Sequence, residues 1–200
     1  MAASNKSNEM TRKGSANEAV KLTYDDFLLF PDDGKRHELI DGEHYVTASP
    51  NTKHQRVSGN LHYLIRSWLE QHQVGRIFYA PFDVLFSRFD VVEPDLLFIS
   101  NERIPQILTE QHVTGAPDLI IEIGSPATRK RDETIKRRLY DRSGVSEYWM
   151  VDPELDIVRV YRRGEHGFEK AIELSNEAGD VLTTELLPGL EVPLSRVFGA

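Results

Sequence analysis

The stretch DLIIEIGSPATRKRD, residues 118–132, constrains this chain more than any other. Leu119, Ile120, Ile121 and Ile123 read as a buried strand, yet Glu122 sits in their midst. Moving an ionised carboxylate out of water costs on the order of several kcal/mol unless something positive meets it. Any fold this chain adopts must therefore find Glu122 a partner. VVEPDLLFIS, residues 91–100, repeats the problem at Asp95, where an apolar run follows at once. A turn at Pro94-Asp95 is the alternative there. For Asp118, beside Pro117 at a strand start, the turn reading wins.

The remaining pattern alternates strands with a few helices. Thr23 can cap a short helix bearing Phe27, Leu28 and Phe30. HELIDGEHYV is two extended runs around Asp41-Gly42, a hairpin signal. Asn51 or Thr52 can start a helix to about His72, with Val57, Leu61, Leu64, Ile65 and Trp68 on one face. Strands are expected at 76–86, 91–100 and 118–123, with a short helix and loops over 101–115. KRDETIKRRLYDRSG predicts a helix ended by Gly144. EYWMVD, DIVRVYRR and weaker strands near 168–173 and 181–186 follow, then a loop and short edge strand in LLPGLEVPL. This order predicts an α/β protein with a mixed sheet flanked by helices, not a doubly wound series.

Two hundred residues suit one domain over 21–200, preceded by a polar, non-periodic stretch over 1–20 that reads as a disordered tail. No segment approaches the roughly 20 apolar residues of a membrane helix, so no membrane partner is expected. The chain has no cysteine, which removes disulfides and thiolate metal sites and leaves a cytoplasmic location as the expectation. A net charge of -8 argues against indiscriminate attraction to nucleic acid, though not against a local basic face.

Carboxylates on neighbouring strands could share a divalent cation such as Mg²⁺, which takes oxygen ligands. A structural ion pair with an arginine explains them equally well. On the following helix Asp132, Lys136 and Tyr140 share one face, beside an apolar stripe of Ile135 and Leu139. Asp132 and Lys136 could form a surface ion pair of little consequence. Lys136 could instead turn its ammonium back toward Glu122, orient an attacking water and stabilise charge on a phosphate.

The order PD, then a strand glutamate, then SPATRKRDETIKRRLYDRSGVSEYWMVDPE resembles the Uma2 group of restriction-endonuclease-like proteins, within the PD-(D/E)XK nuclease superfamily. LTYDDFLLFPDD, HELIDGEHY and SPNTKHQRVSGNLHYLI extend the likeness over about residues 21–195, and 117–154 is its most specific part. The resemblance implies a restriction-endonuclease-like core with a metal site. Asp95 and Glu122 would be its carboxylates and the Ile123 carbonyl a third ligand. The superfamily's usual lysine position holds Gly124 here, so the resemblance moves that role to Lys136 on the helix. Glu38 matches a recurrent acidic position and would be an outer ligand, with surface exposure as the alternative. His54, and less specifically Gln55, could project into the same cleft or merely face solvent near the helix start. Tyr148 and Trp149 are expected to fill the core or an interface.

The expected function is Mg²⁺- or Mn²⁺-dependent hydrolysis of DNA phosphodiesters by Asp95, Glu122 and Lys136. The basic run Arg129, Lys130, Arg131, Lys136, Arg137, Arg138 and Arg142 would then favour phosphate, unless it is only a solvated helix face. Two rivals remain: a catalytically silent fold used for DNA binding or protein interaction, and carboxylates paired with arginines such as Arg129. A homodimer is compatible with the exposed apolar content, since restriction-type nucleases often use two sites for two strands.

Overall fold

Four of the five residues of the LIIEI run are apolar because the strand is covered on both faces. In a computed structural model, which describes residues 20–47, 49–125 and 129–199, it forms a fully buried strand inside a seven-stranded sheet. Residues 1–19 of the expected 1–20 tail, and Pro126–Thr128 of the SPATR motif, lie outside the described residues.

In chain order the elements are α1 (Tyr24–Phe27), β1 (Arg36–Ile40), β2 (Glu43–Thr47), α2 (Thr52–His72), β3 (Gly75–Tyr79), β4 (Val84–Ser87), β5 (Asp90–Val92), β6 (Leu96–Ser100) and α3 (Ile104–Ile107). Next come β7 (Val113–Thr114), β8 (Leu119–Ile123), α4 (Arg129–Arg131), a π-helical turn at Asp132–Lys136, and α5 (Arg137–Ser143). The chain ends with β9 (Glu147–Asp152), β10 (Ile157–Gly164), β11 (Gly167–Phe168), β12 (Ile172–Ser175), β13 (Val181–Leu182), β14 (Val192–Pro193) and α6 (Leu194–Phe198).

One sheet runs β2-β1-β5-β4-β7 and the other β11-β10-β9-β8-β6-β3, with β12 beside β10. The β8–β9 pair is parallel and joined by the α4–α5 segment; its neighbours β6 and β10 pair antiparallel, so the sheet is mixed. Leu119, Ile121 and Ile123 pack with Val57, Leu61 and Ile65 of α2 and with Val197 and Phe198 of α6. On the opposite face Ile120 joins Leu139 and Tyr140 of α5, Met150 of β9 and Ile40 of β1. Two apolar layers thus sandwich the sheet.

Several local expectations hold. Asn51 caps α2 by accepting the His54 N–H at 2.9 Å. Gly144, left-handed at φ 89°, ends α5. Asp41 and Gly42 turn the β1–β2 hairpin at φ 55° and 76°. Two strands are shorter than their apolar runs predict. The run 76–86 breaks into β3 and β4, and 91–100 into β5 and β6, at Pro81 and Pro94 respectively. A proline has no N–H for a ladder, and at each break the chain passes from one sheet to the other. Helix α6 replaces part of the expected C-terminal loop, and only Val181–Leu182 of the 181–186 stretch is strand. The first helix holds Phe27, while Leu28 is exposed beyond its end.

Candidate active site

The ladder pairing Leu96 with Ile121 sets the geometry. Continued by one residue, that antiparallel register puts Asp95 opposite Glu122, on the face shared with α5. Asp95 occupies the sheet crossing just past Pro94, so the turn and strand readings each describe half of its position. Both carboxylates are 3% exposed. Ile123 donates its N–H to Asp95 Oδ2 at 2.7 Å, locking the two strands' acidic ends together.

Glu122 meets a lysine and a tyrosine. Lys136 Nζ lies 2.8 Å from Glu122 Oε1 and 2.7 Å from Glu38 Oε1, and Tyr140 donates its hydroxyl to the same Glu122 oxygen. The π-helical turn carries Lys136 into this position, and such turns recur at functional sites. The surface-pair reading of Lys136 with Asp132 is thereby corrected: both residues are 2% exposed, and the ammonium serves Glu38 and Glu122. Glu38, from β1, is fully buried rather than a surface residue.

Asp95 has its own partners. His54 Nε2 stands 3.1 Å from Oδ2 and Arg36 Nη1 2.7 Å from Oδ1. His54 is buried rather than facing solvent, whereas Gln55 is exposed at the edge of the region. The arginine that pairs with Asp95 is Arg36, not Arg129, whose guanidinium goes to Asp152 at 2.6 Å. Arg36 was not expected from the sequence. Its signal is the two-residue alternation of β1, which puts Arg36 and Glu38 on one face. Arg131, named only within the basic run, reaches Glu38 Oε2 at 3.4 Å and donates to Thr47 at 2.6 Å.

Much of the basic run is consumed internally. Arg142 pairs with Asp41 and Asp90, and Arg137 lies over the Tyr161 ring. Lys130 and Arg138 are exposed and form no ion pair among the described residues. With Arg137, which also lacks an ion pair among the described residues, they are the cations of the run that no carboxylate offsets. Tyr148 and Trp149 are fully buried, Tyr148 stacked against Tyr161 and Trp149 donating to Glu147 at 2.6 Å.

These groups line a cleft of about 330 Å³ that includes Arg36, Glu38, His54, Asp95, Glu122 and Lys136. Burial alone would raise the Asp95 pKa, but His54 and Arg36 outweigh it and hold it near about 2. For Glu122 burial wins: against the pull of Lys136, and helped by Asp132, Asp95 and Glu38, it pushes the carboxyl up to about 8. Burial disfavours the Lys136 ammonium, yet Glu122, Glu38 and Asp132 together hold its pKa above the ordinary lysine value. The resulting charge arrangement is a persistent ammonium beside a Glu122 carboxyl that retains its proton near neutral pH.

Does the site suit a divalent metal? Its donors are oxygens, as Mg²⁺ prefers. With Glu122 ionised, four carboxylates (Glu38, Asp95, Glu122, Asp132) face three fixed cations (Arg36, Arg131, Lys136), an excess of one negative charge that vanishes while Glu122 keeps its proton. Glu38 Oε2 is buried with no hydrogen-bond partner among the described residues. The residues fit a divalent cation in chemistry and charge. No group of three His, Cys, Asp or Glu side chains stands ready-assembled for one among the described residues.

The sequence matches the family described as Uma2, putative restriction endonuclease, over residues 24–195. Among solved structures, the fold is similar to a putative nuclease belonging to DUF820 from Anabaena variabilis ATCC 29413. The TM-score is 0.75 at 22% identity, covering 88% of this chain and 97% of that one. No curated protein matches the sequence. No helix among the described residues is long and apolar enough to cross a membrane. With its mixed sheets, its flanking helices and a family match running through nearly all of its folded elements, the chain belongs to the Uma2 family.

Proposed function

We propose that the chain is a divalent-metal-dependent endonuclease that hydrolyses DNA phosphodiesters, with Asp95, Glu122 and Lys136 as its catalytic residues. One observation carries the reading: two buried carboxylates and a buried ammonium, from three separate segments, meet at one cleft. Mg²⁺ or Mn²⁺, held by Asp95, Glu122 and the Ile123 carbonyl, would polarise a phosphate and lower the pKa of a bound water. His54 and the Ile123 N–H orient Asp95 and keep it anionic. Lys136 and Tyr140 converge on one oxygen of Glu122 and so aim that carboxyl group. Because its pKa is raised, Lys136 acts as an ammonium that orients water and offsets phosphate charge, not as a general base. The same reading takes DNA as substrate, a homodimer as the assembly that addresses two strands, and the cytoplasm as the location.

Glu122→Gln keeps the carboxyl group's shape as a carboxamide and removes the capacity to ionise. The purified variant is expected to retain its circular dichroism and lose Mg²⁺-dependent cleavage of plasmid DNA. Cutting at the wild-type rate would remove Glu122 from the mechanism.

A catalytically silent fold, used for DNA binding or protein interaction, is favoured by a different observation. Arg36 and Lys136 already sit on the site's carboxylates, at 2.7 and 2.8 Å. Calorimetry with Mn²⁺ separates the readings. The enzyme is expected to bind the ion stoichiometrically and Asp95→Ala to lose it, whereas a silent fold gives no heat of binding at millimolar Mn²⁺.

A further inference from the structure

Behind the Arg36–Asp95–His54 contact lies a second chamber of about 290 Å³, close to the lower size of small-molecule sites. It opens along the outer side of α2 and shares those three residues with the cleft. Its remaining lining is Gln55, Ser58, Gly59 and His62 from α2, with Tyr79 and Ala80 at the end of β3. β3 is an edge strand, so the Tyr79 ring is 63% exposed although it belongs to the sheet. His62 meets it edge-on, with ring centroids 5.0 Å apart. Open space lies beside Gly59, where a Cβ would meet nothing within 4 Å. The chamber is also rigidly tied to the site, because Ala80 donates its N–H to the Asp95 carbonyl at 3.1 Å.

We infer that this chamber receives an unpaired nucleobase adjoining the phosphate in the cleft, which makes single-stranded or locally opened DNA the preferred substrate. The inference rests on the nuclease reading, which runs a phosphate backbone through the cleft. An exposed aromatic wall offers a stacking surface that any base can use. Burial and Arg66 lower the His62 pKa, so its ring is neutral near pH 7 and suited to that wall. Gln55 and Ser58 add an amide and a hydroxyl within reach of a base edge. A base still paired in a duplex could not enter; only an unstacked one exposes both faces.

Fluorescence anisotropy of a labelled oligonucleotide, without divalent metal, reads binding independently of cleavage. The full chain is expected to hold a single strand about tenfold tighter than the same sequence as a duplex. Tyr79→Ala should weaken single-strand binding about tenfold, Tyr79→Phe should preserve it, and Gly59→Leu should weaken it by filling the chamber. Tyr79→Ala binding as tightly as wild type, equal affinity for duplex, or no oligonucleotide binding at all would each overturn the inference. Failure of the nuclease reading appears elsewhere, as wild-type protein that neither binds Mn²⁺ in calorimetry nor cleaves plasmid DNA.

Discussion

Lys136→Met is expected to cost about 3–5 kcal/mol of folding stability, a large share of what a domain this size possesses. Methionine matches the length of the lysine stem, so packing changes little while the charge disappears. Glu38 and Glu122, which are 0% and 3% exposed, then lose the ammonium that stood 2.7 and 2.8 Å away. The sign with pH follows from the titrations. In wild type the lysine's pKa is raised, so its contribution is fully present below its unfolded value of 10.5 and is lost only as pH climbs through the higher folded value. In the variant Glu122, without its ammonium, titrates above its unfolded value of 4.5, so the deficit is least near that pH and widens as pH rises. Urea unfolding across this range measures it, and adding Glu38→Gln and Glu122→Gln should recover most of the loss. An unaltered midpoint for Lys136→Met would show that the ion pairs carry no net stability.

The second large effect is proton-linked metal affinity. Burial holds the Glu122 carboxyl at about 8, so below that pH an incoming cation must displace a proton. Its ionisation costs stability from pH 4.5 upward and is complete only above about 8; a bound cation offsets that cost. Mn²⁺ affinity should therefore climb roughly tenfold per pH unit between pH 6 and 8, then level off. Asp95, held at about 2, is already ionised and adds no slope in that window. Calorimetry at pH 6, 7, 8 and 9 in buffers of different ionisation enthalpy counts the released proton. A flat profile would separate Glu122 from the cation.

What the sequence disclosed were features decided locally. The Asn51 cap, the Gly144 terminus and the Asp41-Gly42 turn each depend on a few adjacent residues, and each is where the pattern indicated. The two-faced burial of β8 was legible because apolar residues fall on both of its faces, at 119, 121 and 123 and at 120. Where the run was interrupted by proline, at 81 and 94, periodicity could not say that the chain changes sheets, since both halves look equally apolar. Helix α6 is five residues long and is held by α2, which no local signal conveys. Within the site, Glu122, Asp95 and Lys136 stood out as polar residues in apolar or motif-bearing surroundings. Arg36 did not, because a charged residue at the start of a strand looks ordinary until the fold sets it against Asp95.

Lys136 joins a strand of one sheet to a strand of the other, Glu38 on β1 and Glu122 on β8. Its structural duty thus stands whether or not the proposed chemistry does: removing the ammonium would unfasten the two layers even in a chain that cuts nothing.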